Sequence, residues 1–256
     1  GILLGNGWYS LPTRDVFGMH DANWHTPPKV RLNVVVEYES GARDVIVTDR
    51  TWKWGHGEIV YNSVRSGETI DHTKSVHGWN EPGFCDSLWR NVCHVPAPLG
   101  KLTADPMPPM RVAKELKPVG ITETGPGVYL VDFGENLTGW VETRVRGSRG
   151  QTVELQFNEV LKADGSLDTQ NSTWHTRGRY QTELLILGGD GEETFEPRFT
   201  YHGFRYMQVR GLAYKPAPED FTAKCVHTDL QRAGNFSCSM DKLNDLNAAV
   251  CRTLLN

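Results

Sequence analysis

The chain has 256 residues, among them 26 glycines and 14 prolines, with 10% aromatics and a formal net charge of −4. That length accommodates two β-rich domains of ordinary size, each with its own core. The interspersed charges leave no basic stripe for nucleic acid or for an anionic membrane, and no apolar run approaches the roughly 20 residues that span a bilayer.

The five cysteines, Cys85, Cys93, Cys225, Cys238 and Cys251, are odd in number and never spaced C-x-x-C. That usage argues against a disulfide framework and a structural zinc site, although one pair could form. The chain opens in mid-pattern at Gly1-Ile-Leu-Leu4, without an initiator methionine or a signal-like segment, and reads as a piece of something longer. Its compartment stays open.

In chain order, Val30, Leu32, Val34, Val36 and Tyr38 alternate with Arg31, Asn33 and Glu37, and Ser40-Gly41 turns the chain into a second strand at 44–48. Trp52 and Trp54 follow at period two, a short strand covers 58–61, and 90–95 closes the unit. The proline-rich run 96–109 suits an inter-domain connection, which places a boundary near residue 100. Strands are then expected at 115–122, 128–133, 140–146, 151–160, 180–187, 195–198, 204–210 and 221–228. Gly147-Ser-Arg-Gly150 makes a turn on which Arg149 is expected to be dispensable. Within Phe199-Thr-Tyr-His-Gly-Phe-Arg-Tyr-Met-Gln-Val-Arg-Gly211, Gly203 is expected to be a hinge, with Phe204 and Tyr206 on one strand face and Met207 and Val209 on the other. His202 is expected to be a structural hydrogen-bonding group. Ser239 is a good N-cap for Leu243, Leu246, Val250 and Leu254 at helical spacing. The expected fold is all-β: two consecutive antiparallel, jelly-roll-like β-sandwich domains at 1–98 and 99–229, followed by one C-terminal α-helix within 230–256.

Three blocks carry a resemblance: the stretch 199–211, Val131-Asp-Phe-Gly-Glu-Asn-Leu-Thr-Gly-Trp140 and Glu159-Val-Leu-Lys-Ala-Asp-Gly165. In letters, order and spacing they resemble the β-sandwich region of bacterial α-L-rhamnosidases. Gly5-Asn-Gly-Trp-Tyr9, Gly67-Glu-Thr-Ile-Asp71 and Asn235-Phe-Ser-Cys-Ser239 extend the likeness along the chain. The resemblance implies a hydrolase of terminal L-rhamnose that works by inversion, its acid and base lying on a helical barrel beyond residue 256, of which the final helix is the first element. No residue here inherits a catalytic role.

The residues alone carry no alternative chemistry. Glycoside hydrolysis needs two carboxylates set about 5 to 10 Å apart, and 31 acidic residues make any pairing from sequence arbitrary. There is no G-x-S-x-G elbow, no H-E-x-x-H helix and no G-x-G-x-x-G order.

Binding has the better case. His20-Asp-Ala-Asn-Trp24, Trp52, Trp54, Tyr61-Asn62 and Gly67-Glu-Thr-Ile-Asp71 gather aromatic faces with oxygen ligands, a combination that suits sugars and Ca²⁺. The alternative is that these tryptophans are ordinary core and loop residues, with Glu68 and Asp71 as turn and strand-end polar groups. The region also resembles a rhamnose-binding module that uses calcium. Loops at one end of a sandwich converge, so Asp21, Asn23 and Trp24 before one strand and Asn62, Glu68 and Asp71 after another are expected to share a rim, with carbohydrate contacts at all six and calcium at Asp21, Asn23 and Asn62. Asn62-Ser-Val-Arg-Ser66 is longer than the family spacing, and Ile70-Asp-His72 replaces its usual Tyr-Asp-Ala. A further polar loop, Asn171-Ser-Thr-Trp174 with Thr176-Arg-Gly-Arg179, is expected to be a hairpin tip or a contact to the catalytic domain.

Overall fold

The computed structural model describes residues 1–97, 99–170 and 173–255, so Asn171 and Ser172 of the expected polar loop lie outside the described residues. The first part contains β1 (Asn33–Glu37), β2 (Arg43–Val47), β3 (Lys53–Trp54), β4 (Ile59–Ser63), β5 (Gly67–Asp71) and β6 (Arg90–Asn91). After the proline-rich run come β7 (Met110–Leu116), β8 (Gly120–Gly125), β9 (Val128–Arg146), β10 (Thr152–Asn158), β11 (Thr182–Ile186), β12 (Glu192–Phe195), β13 (His202–Arg210) and β14 (Phe221–Thr228). One helix, α1 (Asp241–Leu255), ends the chain. The protein is all-β with a single C-terminal helix, as its alternating pattern requires.

Ten strands form one sheet in the order β4-β5-β11-β10-β13-β9-β14-β7, with β8 and β12 also paired to β9. The 19-residue β9 organises it. Its first half pairs with β8 and β13, and its second half with β12 and β14. Sequence periodicity suggests two strands, at 128–133 and 140–146; the chain instead bends at Gly134 (φ +83°) and continues as one. Alternation survives the bend: Tyr129, Val131, Phe133, Leu137, Val141 and Val145 all face the core. With Val153, Leu155, Phe157, Leu185, Phe195, Phe204, Met207, Val209 and Phe221 they make one cluster.

In β13 the register shifts between Phe204 and Tyr206. This bulge inserts a residue and reverses the parity of the strand. Phe204, Met207 and Val209 therefore share the core, against the expected split of Phe204 from the other two. The bulged Arg205 binds Asp132 in a bidentate pair, Nε to Oδ1 at 2.8 Å and Nη2 to Oδ2 at 2.9 Å. Gly203 lies inside the strand and is not the expected hinge.

Residues 59–71 behave differently from the rest of the first part. The β1–β2 hairpin and the β3–β6 pair stand as separate two-stranded sheets, whereas β4 and β5 extend the large sheet. Parallel pairing of β5 with β11 (Thr69 opposite Leu184, Ile70 opposite Leu185) is a departure from the purely antiparallel expectation. It carries Ile70 into the main core. Among the described residues, Leu11 is the single buried hydrophobic side chain before Ile70. Arg149 is not idle on its turn: its guanidinium donates to Gly188 O at 3.0 Å and Thr73 O at 3.3 Å, tying the β9–β10 turn to the segment after β5.

Candidate functional site

The six expected site residues divide into two groups. Asp21 ends a 3-10 turn (Met19–Asp21), and Asn23 and Trp24 follow it; all three are exposed, Trp24 by 58%. The turn is held from inside by Asp15, whose Oδ1 accepts the amides of Phe17 and Met19 at 3.1 Å each. Asp15 Oδ2 stands 4.0 Å from Arg65 Nε, and the Arg65 guanidinium lies over the rings of both Trp8 (5.1 Å) and Phe17 (5.2 Å). Sequence reasoning missed Asp15 and Arg65. Nothing local marks them, because their relation spans 50 residues and exists only after folding.

Asn62, Glu68 and Asp71 are committed inside the structure. Asn62 Oδ1 accepts the Asn6 amide at 2.7 Å, while Asn6 Nδ2 donates back to Asn62 O at 2.9 Å. Asp71 Oδ1 takes the Thr73 amide (3.1 Å) and hydroxyl (2.5 Å), and the Thr73 hydroxyl is the leading cause holding this carboxyl below its ordinary range.

Glu68 is 0% exposed. Its carboxylate accepts the backbone amides of Arg198 and Phe199, and its own amide donates to Glu183 Oε2 at 2.5 Å. Glu183 Oε1 in turn lies 2.5 Å from His202 Nε2, which gives His202 the structural role expected of it. Burial first, and then the Glu183 charge, push the Glu68 carboxyl up to about 7 against the opposing pull of the two amides. Gly67 makes this approach possible: at φ +98°, a Cβ there would sit 2.2 Å from Thr182 O.

Calcium requires six to eight converging oxygens. Of the three donors expected for it, Asn62 Oδ1 is occupied by the Asn6 amide and Asp21 Oδ2 faces His20 Nε2 at 3.1 Å. The set does not fit the ion. No group of three or more His, Cys, Asp or Glu residues able to hold a metal occurs among the described residues.

A separate pocket with about 270 Å³ of free space opens between Glu58, His72, Ser75, His77, Asp190 and Glu193. His72 Nδ1 and Glu193 Oε2 are 2.6 Å apart there. Burial raises the Glu193 carboxyl, but the amides of Gly188 and Gly189 and the His72 contact outweigh it, leaving a net lowering.

The architecture is thus an all-β module: one sandwich built around a shared long strand, with a β-rich N-terminal part stitched onto its edge through β4 and β5. Residues 1–114 match the α-L-rhamnosidase N-terminal domain, and residues 122–227 the bacterial α-L-rhamnosidase concanavalin-like domain. The chain belongs to the bacterial α-L-rhamnosidase family. An α-L-rhamnosidase of Streptomyces avermitilis is 37% identical over 245 residues, 95% of this chain and 23% of that protein. The solved structure of the Streptomyces avermitilis enzyme complexed with L-rhamnose superposes with a TM-score of 0.85 at 36% identity, over 96% of this chain and 23% of that one. The Dictyoglomus thermophilum α-L-rhamnosidase structure gives 0.81 at 38% identity, over 88% and 25%. The chain spans about a quarter of the length of the curated relatives it matches.

Proposed function

We propose that this chain is the β-sandwich scaffold of an α-L-rhamnosidase whose catalytic acid and base lie outside it. In this reading the whole protein hydrolyses terminal α-L-rhamnosyl residues of plant glycosides or polysaccharides by inversion. The chain docks the helical catalytic domain of the same polypeptide. The observation that carries the reading is the fate of the carboxylates. Glu68 and Glu183 are sealed from solvent, where no glycosidic oxygen reaches them, and the more exposed neighbours Glu142 and Glu196 are both engaged by Lys224 Nζ, at 2.7 and 2.8 Å. The exposed apolar stripe of α1, Leu243, Leu246, Val250 and Leu254, supports a helical partner. The 256-residue chain should not hydrolyse an aryl α-L-rhamnoside above background. Turnover that survives repurification and scales with the amount of chain overturns the reading.

A second reading, a sugar-binding module for L-rhamnose-containing glycans, rests on exposed Trp24 beside Asp21 and Asn23. Calorimetry with L-rhamnose, with and without Ca²⁺, tests it. Binding at about millimolar Kd that Trp24→Ala removes supports the module; no heat at high sugar concentration in saturating Ca²⁺ removes it.

A further inference from the structure

Three titratable side chains from three strands meet in the interior: Glu68 of β5, Glu183 of β11 and His202 of β13, each at most 1% exposed. Glu183 sits in the middle, with one oxygen on the Glu68 amide and the other on His202 Nε2. His202 stacks on Phe157 at 4.9 Å, and its Nδ1 has no hydrogen-bond partner among the described residues. The cations facing the cluster are Arg198, whose amide binds Glu68, and Arg179, whose Nη1 donates to Thr69 on the same strand at 2.8 Å. Neither guanidinium forms an ion pair with Glu68 or Glu183 among the described residues. Two ionised carboxylates sealed together in a low-dielectric interior repel each other and lose hydration, so such a cluster favours retaining a proton.

These groups occupy the junction where the β4–β5 hairpin joins the sandwich. We propose that Glu68, Glu183 and His202 form a proton-dependent latch that fastens β5 to β11 and β13 while the cluster holds its extra proton, and loosens that edge when the proton leaves. The Glu68 carboxyl, raised to about 7, agrees with this. A folded-state value above the unfolded one means that the stabilisation is fully present below the ordinary carboxyl range. It is lost as the pH rises through about 7. The latch gives the sequence block Gly67-Glu-Thr-Ile-Asp71 a role distinct from ligand contact: it controls how firmly the N-terminal part is held to the sandwich.

Amide hydrogen exchange followed by NMR tests the latch, with rates corrected for intrinsic base catalysis. Between about pH 5 and about pH 8, protection of the 67–71 amides should fall at least about tenfold, while amides in the middle of β9 and β13 change much less. Glu68→Gln keeps an acceptor for the two amides but cannot lose a proton, so its protection should be flat over the same range. Equal falls in the wild type and Glu68→Gln, or no fall in the wild type, overturn the proposal. Should Glu68→Gln fail to fold, titration of the wild-type Glu68 side-chain carboxyl by ¹³C shift decides the matter. A midpoint near 7 supports the latch, and one at or below the ordinary carboxyl range removes it.

Discussion

Replacing Gly67 by alanine adds one methyl group at the point where β5 enters the sheet. Two effects add. The residue holds φ +98°, which a Cβ makes unfavourable by about 1–2 kcal/mol. The new Cβ would also lie 2.2 Å from Thr182 O and 3.2 Å from Glu183 Oε1, so β11 must move away. That movement threatens three hydrogen bonds: Thr182 N to Ser66 O (3.0 Å), Gln181 N to Arg65 O (2.9 Å) and Glu68 N to Glu183 Oε2. At about 0.5–1.5 kcal/mol each, their loss brings the total to about 3–6 kcal/mol. At about 2–4 °C per kcal/mol for a chain of this size, Tm should fall by about 6–24 °C.

Gly41, in the β1–β2 turn, is the control. It also has positive φ, +81°, but a Cβ there meets nothing within 4 Å. Gly41→Ala should therefore show only the conformational part, about 1–2 kcal/mol. Thermal unfolding followed by circular dichroism compares the two directly. Equal shifts would mean that the close approach of β5 to β11 contributes nothing, and the account of the junction would fall with it.

Other substitutions probe separate parts of the fold. Leu155→Ala and Met207→Ala remove side chains at 1% and 0% exposure and should each cost about 2–5 kcal/mol, read as lowered urea midpoints. Arg149→Ala should cost about 1 kcal/mol, since it deletes two charge-assisted bonds to backbone carbonyls; an unchanged midpoint would mean that water replaces them fully. Glu193 has a lowered carboxyl, so its contribution is present above the ordinary carboxyl range and is lost as the pH falls through its folded-state value. Glu193→Gln should accordingly flatten the acid limb of the stability curve, and a curve parallel to wild type would assign acid sensitivity elsewhere.

Local residue patterns set the strand grammar. Period-two alternation marks both halves of β9 and all of β10, because each of these strands buries one face and the side-chain period of two leaves its imprint locally; β13, apolar on both faces, is legible as a strand but not in its facing. Glycine turns, the terminal helix and the family blocks were equally legible, being short-range patterns. Tertiary structure decided what local pattern does not encode. The bulge at Arg205 shifts the register of β13 on β9, where Arg205 meets Asp132, 73 residues away, and that shift brings Phe204 and Met207 to one face. The block Gly67-Glu-Thr-Ile-Asp71 is polar enough to read as a ligand loop. It became a buried strand because Glu68 finds the amides of Arg198 and Phe199 and because Glu183 receives the amide of Glu68. A carboxylate in water and one inside a protein are the same letter in sequence; which it is depends on whether distant donors replace its hydration, and those donors are positioned only when the sheet closes.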